Sequence, residues 1–236
     1  MEFKRSVLGA VLIGAAVFSG SAFADVTGNV GVVSDYIYRG LPQAATSGES
    51  AVQGGLDYTH ASGFYAGFWS SSLAGGTNGG YELDGYLGFA STIGDFGYDI
   101  GALYYGYPKS GEGENEDVGT LEFHVKGSYG PVSLAYNYSD DWFNTGKSAQ
   151  YVVGALTLPV SDSLSFGASV GYSFGDAFKG TDGASDTDYV DYSLSLTKSL
   201  TKEFSASFSV VGTDHGYDET DKTPRFLVGG KYTFSL

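Results

Sequence analysis

Ser165-Phe166-Gly167-Ala168-Ser169-Val170-Gly171-Tyr172-Ser173-Phe174 sets an apolar or aromatic residue at every even position and a serine or glycine at every odd one. A period of two puts successive side chains on opposite faces of an extended strand. An amphipathic helix would need its apolar residues at i, i+3 and i+4, and this stretch does not follow that spacing. The strand it predicts has one apolar face and one face that is small and wet.

The same alternation recurs along the chain. It reads through Val26–Arg39, Val52–Thr59, Tyr81–Phe89, Phe96–Tyr104, Leu121–Lys126 and Val132–Ser139, then Val190–Leu196, Phe204–Val210 and Phe226–Leu236. Phe64–Ser72 and Ala149–Leu158 are apolar on both faces, so their facing is open. Counting these two gives twelve strands, with ten the alternative if either is a loop. Long and short connections alternate between the segments. Gly40–Ser50, Leu73–Gly80, Pro108–Gly119, Asp140–Ser148, Gly175–Asp188 and Asp214–Pro224 are long. Ala61–Gly63, Ser91–Asp95, Tyr129–Pro131, Pro159–Leu164 and Lys198–Glu203 are short. In an up-and-down array all short turns then fall at one end, the asymmetry of outer-membrane barrels.

Alternation alone does not separate a soluble sandwich, apolar inside, from a membrane barrel, apolar outside. Length favours the barrel. A ten-residue strand is about 34 Å long, and tilted by about 45° it rises about 24 Å, close to the roughly 25 Å apolar band of such barrels. Tyr36, Tyr38, Tyr58, Tyr136 and Tyr138 fall near predicted strand ends, where aromatic girdles lie. The fold class expected is an all-β, antiparallel, up-and-down transmembrane β-barrel.

Composition agrees. The 236 residues include 37 glycines and 19 tyrosines, with 16 % aromatic and only 17 % charged residues. Cysteine is absent, which excludes a disulfide scaffold and Cys-ligated zinc or iron–sulfur sites. A net charge of −15 argues against nucleic acid as a partner. No apolar run reaches the 18 or so residues a helical span needs. The first residues read as a signal peptide: Lys4 and Arg5, the apolar Val7–Phe18, and a small-x-small site at Ala22-Phe23-Ala24. Residues 1–24 are therefore expected to be removed, leaving 25–236 as the barrel.

The last strand, ending Tyr232-Thr233-Phe234-Ser235-Leu236, resembles the C-terminal signal of outer-membrane proteins, with leucine in place of the usual final aromatic. Other motifs resemble the TorF-type porin family of proteobacterial outer-membrane proteins. They are Ser34-Asp35-Tyr36-Ile37-Tyr38-Arg39-Gly40 with Gln43, Ala51–Gly55, Gly63–Gly67 with Trp69, Glu82–Asp84, Leu103–Tyr105, and Tyr129–Pro131 with Ser139–Asp141. Pro42 departs from the serine expected there. The resemblance runs over essentially the whole of residues 25–236. It implies an outer-membrane pore, periplasmic chaperones and the barrel-insertion machinery as partners, and neither a known substrate nor catalytic residues.

Three functions are weighed on the residues. The first is passive diffusion of small hydrophilic solutes across the outer membrane of a Gram-negative bacterium, without a cofactor and without energy coupling, since no nucleotide motif occurs. The candidate pore-lining charges are Asp35, Arg39, Asp57, Glu82, Asp84, Asp99, Glu122, Lys126, Asp191 and Lys231. Seven are acids and three are bases, and acidic rings favour cations. Several should pair, because a charge in a low-dielectric wall is costly alone. Arg39 with Asp35, on one predicted strand face, is the expected internal pair. The second is a barrel hydrolase. Only His60, His124 and His215 are available, and His215-Asp214 and Asp140-Asp141 are neighbours whose side chains diverge in extended chain. The reading is therefore of a non-enzyme. The third is a closed structural or adhesive barrel acting through the acidic loops Gly111–Asp117 and Asp182–Asp188, in contact with lipopolysaccharide and its bridging cations. N-terminal sequencing of the protein taken from bacterial membranes should read Asp25-Val26-Thr27. A chain that still begins at Met1 would remove the signal peptide from the account.

Overall fold

The computed structural model describes residues 24–43, 48–73, 80–108, 118–179, 188–215 and 223–236. All but the last residue of the expected signal peptide, the Gly111–Asp117 loop and all but the last residue of the Asp182–Asp188 loop lie outside them.

Twelve antiparallel strands close into one barrel. They are β1 (Asp25–Val33), β4 (Ala51–Thr59), β5 (Phe64–Ser72), β6 (Tyr81–Ile93), β7 (Phe96–Tyr107), β8 (Val118–Tyr129), β9 (Val132–Ser139), β10 (Ala149–Ser161), β11 (Leu164–Phe174), β12 (Tyr189–Ser199), β13 (Phe204–Thr213) and β14 (Arg225–Ser235). Each pairs with its neighbour in sequence, and β1 pairs with β14 through Thr27↔Ser235 to Val33↔Gly229. A second, two-stranded ribbon, β2 (Ile37–Tyr38) with β3 (Leu41–Pro42), belongs to the connection from β1 to β4 and is separate from the barrel sheet.

Both stretches of open facing are strands, so the count is twelve rather than ten. In β5, Phe64 and Phe68 are exposed while Tyr65 and Ser71 are buried. In β10, Ala149, Tyr151 and Val153 are buried, and Val152 lies between the outward Tyr136 and Tyr172. The short connections gather at one end with the outer ends of β1 and β14, and the long ones at the other.

The sidedness is that of a barrel in lipid. Leu87, Ile100, Phe123, Val125, Leu134, Val170, Leu194 and Phe226 are exposed on the outside, while Glu82, Asp84, Glu122 and Asp191 are buried inside. Across the ladder like meets like: Phe89↔Ile100 and Ile100↔Val125 outside, Gly101↔His124 and His124↔Asn137 inside. Closure satisfies every ladder amide and carbonyl without water, which an open sheet edge in hydrocarbon could not do.

One expectation fails here. The alternation of Val26–Arg39 does not continue as one strand, because β1 ends at Val33. Tyr36 and Tyr38 therefore do not belong to an outer girdle. Tyr36 is only 7 % exposed and sits inside the barrel, whereas Tyr58, Tyr136 and Tyr138 do face outward.

Leu87 lies mid-strand in β6 with its side chain fully on the outer face. Leu87→Arg should cost about 2–4 kcal/mol of folding stability in lipid, read from reversible urea unfolding in vesicles. An unchanged midpoint would show that this position is not at bilayer depth.

Candidate functional site

The interior at the long-loop end is filled by the connection that follows β1. Ile37↔Pro42 and Tyr38↔Leu41 pair around Arg39-Gly40, both with positive φ (46° and 82°). This is the two-residue hairpin turn whose central residues are both left-handed. Glycine suits it. A Cβ at Gly40 would also come within 2.8 Å of Thr213 Cβ and 2.9 Å of Asp191 Cβ, so the tip touches β12 and β13 with nothing to spare. Arginine in the left-handed region carries a strain of about 1 kcal/mol or more, which persists only where surroundings hold it.

The surroundings are specific. Arg39 Nη2 donates to Glu122 Oε1 at 2.8 Å and Oε2 at 2.6 Å, with both side chains under one-tenth exposed. The guanidinium carbon lies 4.1 Å from the Tyr151 ring centre, 4.8 Å from Tyr38 and 5.4 Å from Trp142, distances at which a cation is drawn to an aromatic face. Tyr38 and Tyr105 meet through their hydroxyls at 3.0 Å, and Tyr105 also donates to Glu122 at 3.3 Å. Tyr36 packs edge-on against Trp69 of β5. The hairpin thus touches β5, β7, β8, β10, β12 and β13, and crosses the lumen.

Asp35 and Arg39 are not paired, contrary to the expectation drawn from a common strand face. They flank the turn into the hairpin and point to different walls. Arg39 takes Glu122, while Asp35 Oδ2 accepts from Arg225 Nη1 at 3.4 Å and from the Gly48 amide at 3.0 Å. Burial pushes the Asp35 carboxyl above its ordinary value, opposed by that amide and by Arg225.

The other charges spread down the inner wall. Asp57 accepts from the Tyr86 hydroxyl. Asp99 accepts from Tyr65 at 2.7 Å and lies 3.2 Å from His124 Nε2. Lys126 stands opposite Asp99 in the ladder. Asp191 accepts from Tyr151 at 3.2 Å, and Glu82 from Tyr107 at 3.1 Å. Asp84 shares the Glu82 face two residues on, and among the described residues no lysine or arginine reaches either. Lys231 is exposed, opposite Gly31 and Ser205 nearer the short-turn end.

Five inner carboxylates, Asp57, Glu82, Asp99, Glu122 and Asp191, each accept a tyrosine hydroxyl. A phenol supplies a donor without a second charge, which suits an acid far from bulk water. The sequence reading placed Tyr36, Tyr38, Tyr58, Tyr136 and Tyr138 near strand ends and gave Tyr65, Tyr86, Tyr105, Tyr107 and Tyr151 no role as donors to the inner acids. The signal was a Tyr at odd positions, where β5, β7 and β10 should carry small polar residues.

A second piece helps to close the same end. The 3-10 turn Trp142–Asn144 is held by Thr120 Oγ1, which donates to the Asp141 carbonyl at 2.7 Å and accepts from the Phe143 amide at 3.0 Å. Phe143 packs against Tyr105 and Tyr107. His215 stacks on Tyr189, while Asp214 accepts from the Val190 amide, so these neighbours serve different contacts. Asp141 accepts from the Gly146 amide within its own loop. Among the described residues, no group of three or more His, Asp or Glu is arranged to hold a metal ion.

A closed twelve-stranded antiparallel barrel, apolar outside and polar within, defines the chain as a porin-like β-barrel of the outer-membrane type. Its fold is shared with a solved KdgM porin in complex with disordered oligogalacturonate, at TM-score 0.57 and 10 % identity, over 89 % of this chain and 99 % of that one. The NanC porin is similar at TM-score 0.53 and 11 % identity, over 91 % and 100 %. Comparison with curated proteins gives no match. The chain belongs to the Gcw_chp family, bacterial proteins of unknown function, whose model matches residues 18–236.

Removing one partner of a buried ion pair leaves an uncompensated charge and typically costs about 3–5 kcal/mol. Arg39→Ala and Glu122→Gln should each destabilise the barrel on that scale, and the double variant should lose clearly less than the sum of the two. Urea unfolding in vesicles measures the cycle. Strict additivity would mean that the pair does not act as a unit.

Proposed function

We propose that the protein is an outer-membrane channel for passive diffusion of small hydrophilic solutes, with a preference for cations. The observation that carries this reading is the inner wall. Glu82, Asp84, Glu122 and Asp191 ring the constriction, and among the described residues Arg39 is the base ion-paired to one of them. Fixed acids around a narrow passage attract cations and repel anions. Below the hairpin, Asp57, Asp99 and Lys126 are only partly buried, as they would be beside water. Oligogalacturonate, the ligand of the KdgM structure, is a polyanion, so an acidic passage would repel it. The shared fold does not carry that solute to this chain.

The seat in the outer membrane of a Gram-negative bacterium follows from the apolar outer band together with the expected signal peptide. Lipid, lipopolysaccharide, periplasmic chaperones and the barrel-insertion machinery are the partners this implies, and the motif set similar to the TorF-type porins supports the same assignment. A second reading, a closed structural or adhesive barrel acting through its long loops, is favoured by one observation: the hairpin and ring residues Tyr36, Glu82 and Asp84 are almost wholly buried.

Planar-bilayer recording of the protein purified from membranes separates the two. Discrete steps with a cation-selective reversal potential in a salt gradient are expected. Anion selectivity would refute the acidic passage. Silence from protein shown to be inserted would favour the closed barrel.

A further inference from the structure

We propose that the cage around Arg39 is a recognition site for solutes bearing a guanidinium group, and that Arg39 occupies it as a tethered ligand. The inference rests on the channel reading and names a solute class for its constriction.

The cage has the parts that recognise such a cation. Glu122 supplies a buried carboxylate, with Tyr105 holding its Oε1. Tyr151, Tyr38 and Trp142 supply ring faces at 4.1, 4.8 and 5.4 Å from the guanidinium carbon. Flat, weakly hydrated guanidinium suits such faces better than a compact ammonium does.

Arg39 fills this cage imperfectly. Only Nη2 meets Glu122, serving both of its oxygens, while the buried Nη1 has no partner among the described residues. Its backbone is held at φ 46° in the hairpin turn, and from there it meets Glu122 through one nitrogen rather than through two nitrogens on two oxygens. An untethered guanidinium has no such restraint and can make that two-point bond. The tether compensates for the poorer fit, since a group held beside its site competes at high effective concentration. A solute that displaces Arg39 also takes away the bond that anchors the hairpin tip to β8.

Trp142 reports on the cage directly, because the chain has only two tryptophans. With Trp69→Phe as background, Trp142 emission of the detergent-folded barrel is followed during a methylguanidine titration, with urea as the neutral isosteric probe. The wild-type cage should saturate, and Arg39→Ala should saturate at a concentration at least tenfold lower. Glu122→Gln should abolish the saturable response, and urea should give none. Equal titrations with and without Arg39, a response that survives Glu122→Gln, or an equal response to urea would each overturn the proposal. Arg39→Gln replaces Arg39→Ala if the latter does not fold. If neither folds, the wild-type protein must still saturate with methylguanidine and not with urea. The readout is binding in detergent, so an electrically silent barrel would refute the channel and leave this result standing.

Discussion

Hydrocarbon offers a backbone amide nothing to bond to, and every other feature of this molecule follows from that constraint. It makes the chain a closed sheet, forces β1 to find β14 across the whole length of the sequence, and sorts side chains by parity into a lipid face and an inner face. The short strand-to-strand turns at one end leave no chain to spare. All the slack sits at the other end, where the connections are long enough for one to fold back inside.

What folds back has to live with acids. Glu82, Asp84, Glu122 and Asp191 lie in the inner wall with little access to water. Unsolvated carboxylates need donors, and the wall supplies tyrosine hydroxyls to three of the four. The hairpin brings a guanidinium, that of Arg39, to Glu122. Strain at Arg39 and order at the constriction are therefore two aspects of one arrangement: the ion pair holds a backbone that would otherwise relax, and the bent backbone delivers the charge to Glu122 on the inner wall.

The outer face was legible in the sequence because lipid imposes a strict rule on it. Phe166, Val170 and Phe208 repeat that rule with nothing to contradict it. The inner face was less legible where it is not wet. Trp69 and Tyr151 point inward against the hairpin segment, and Tyr65 and Val153 are also buried on the inner face, so β5 and β10 are apolar on both sides and their parity is blurred. The hairpin itself was misread for a related reason. Tyr36 and Tyr38 keep the period of β1, but the chain has already turned, and their face is the lumen. Ile37 at the polar parity and the Arg39-Gly40 pair marked the break. No local pattern could pair Arg39 with Glu122, because the barrel's closure alone brings residues 83 apart together.

The Asp35–Arg225 contact joins the segment just after β1 to the first residue of β14, at the long-loop end of the seam where the sheet closes. Ser34 adds two bonds across the same seam: its amide donates to the Val228 carbonyl and its Oγ accepts from the Val228 amide. The root of the hairpin is thus clasped by the strand made last. Until β14 docks, the root of the hairpin lacks these seam contacts. Zipping the seam and fixing the constriction are therefore coupled, so the cylinder closes around a hairpin already rooted at its seam.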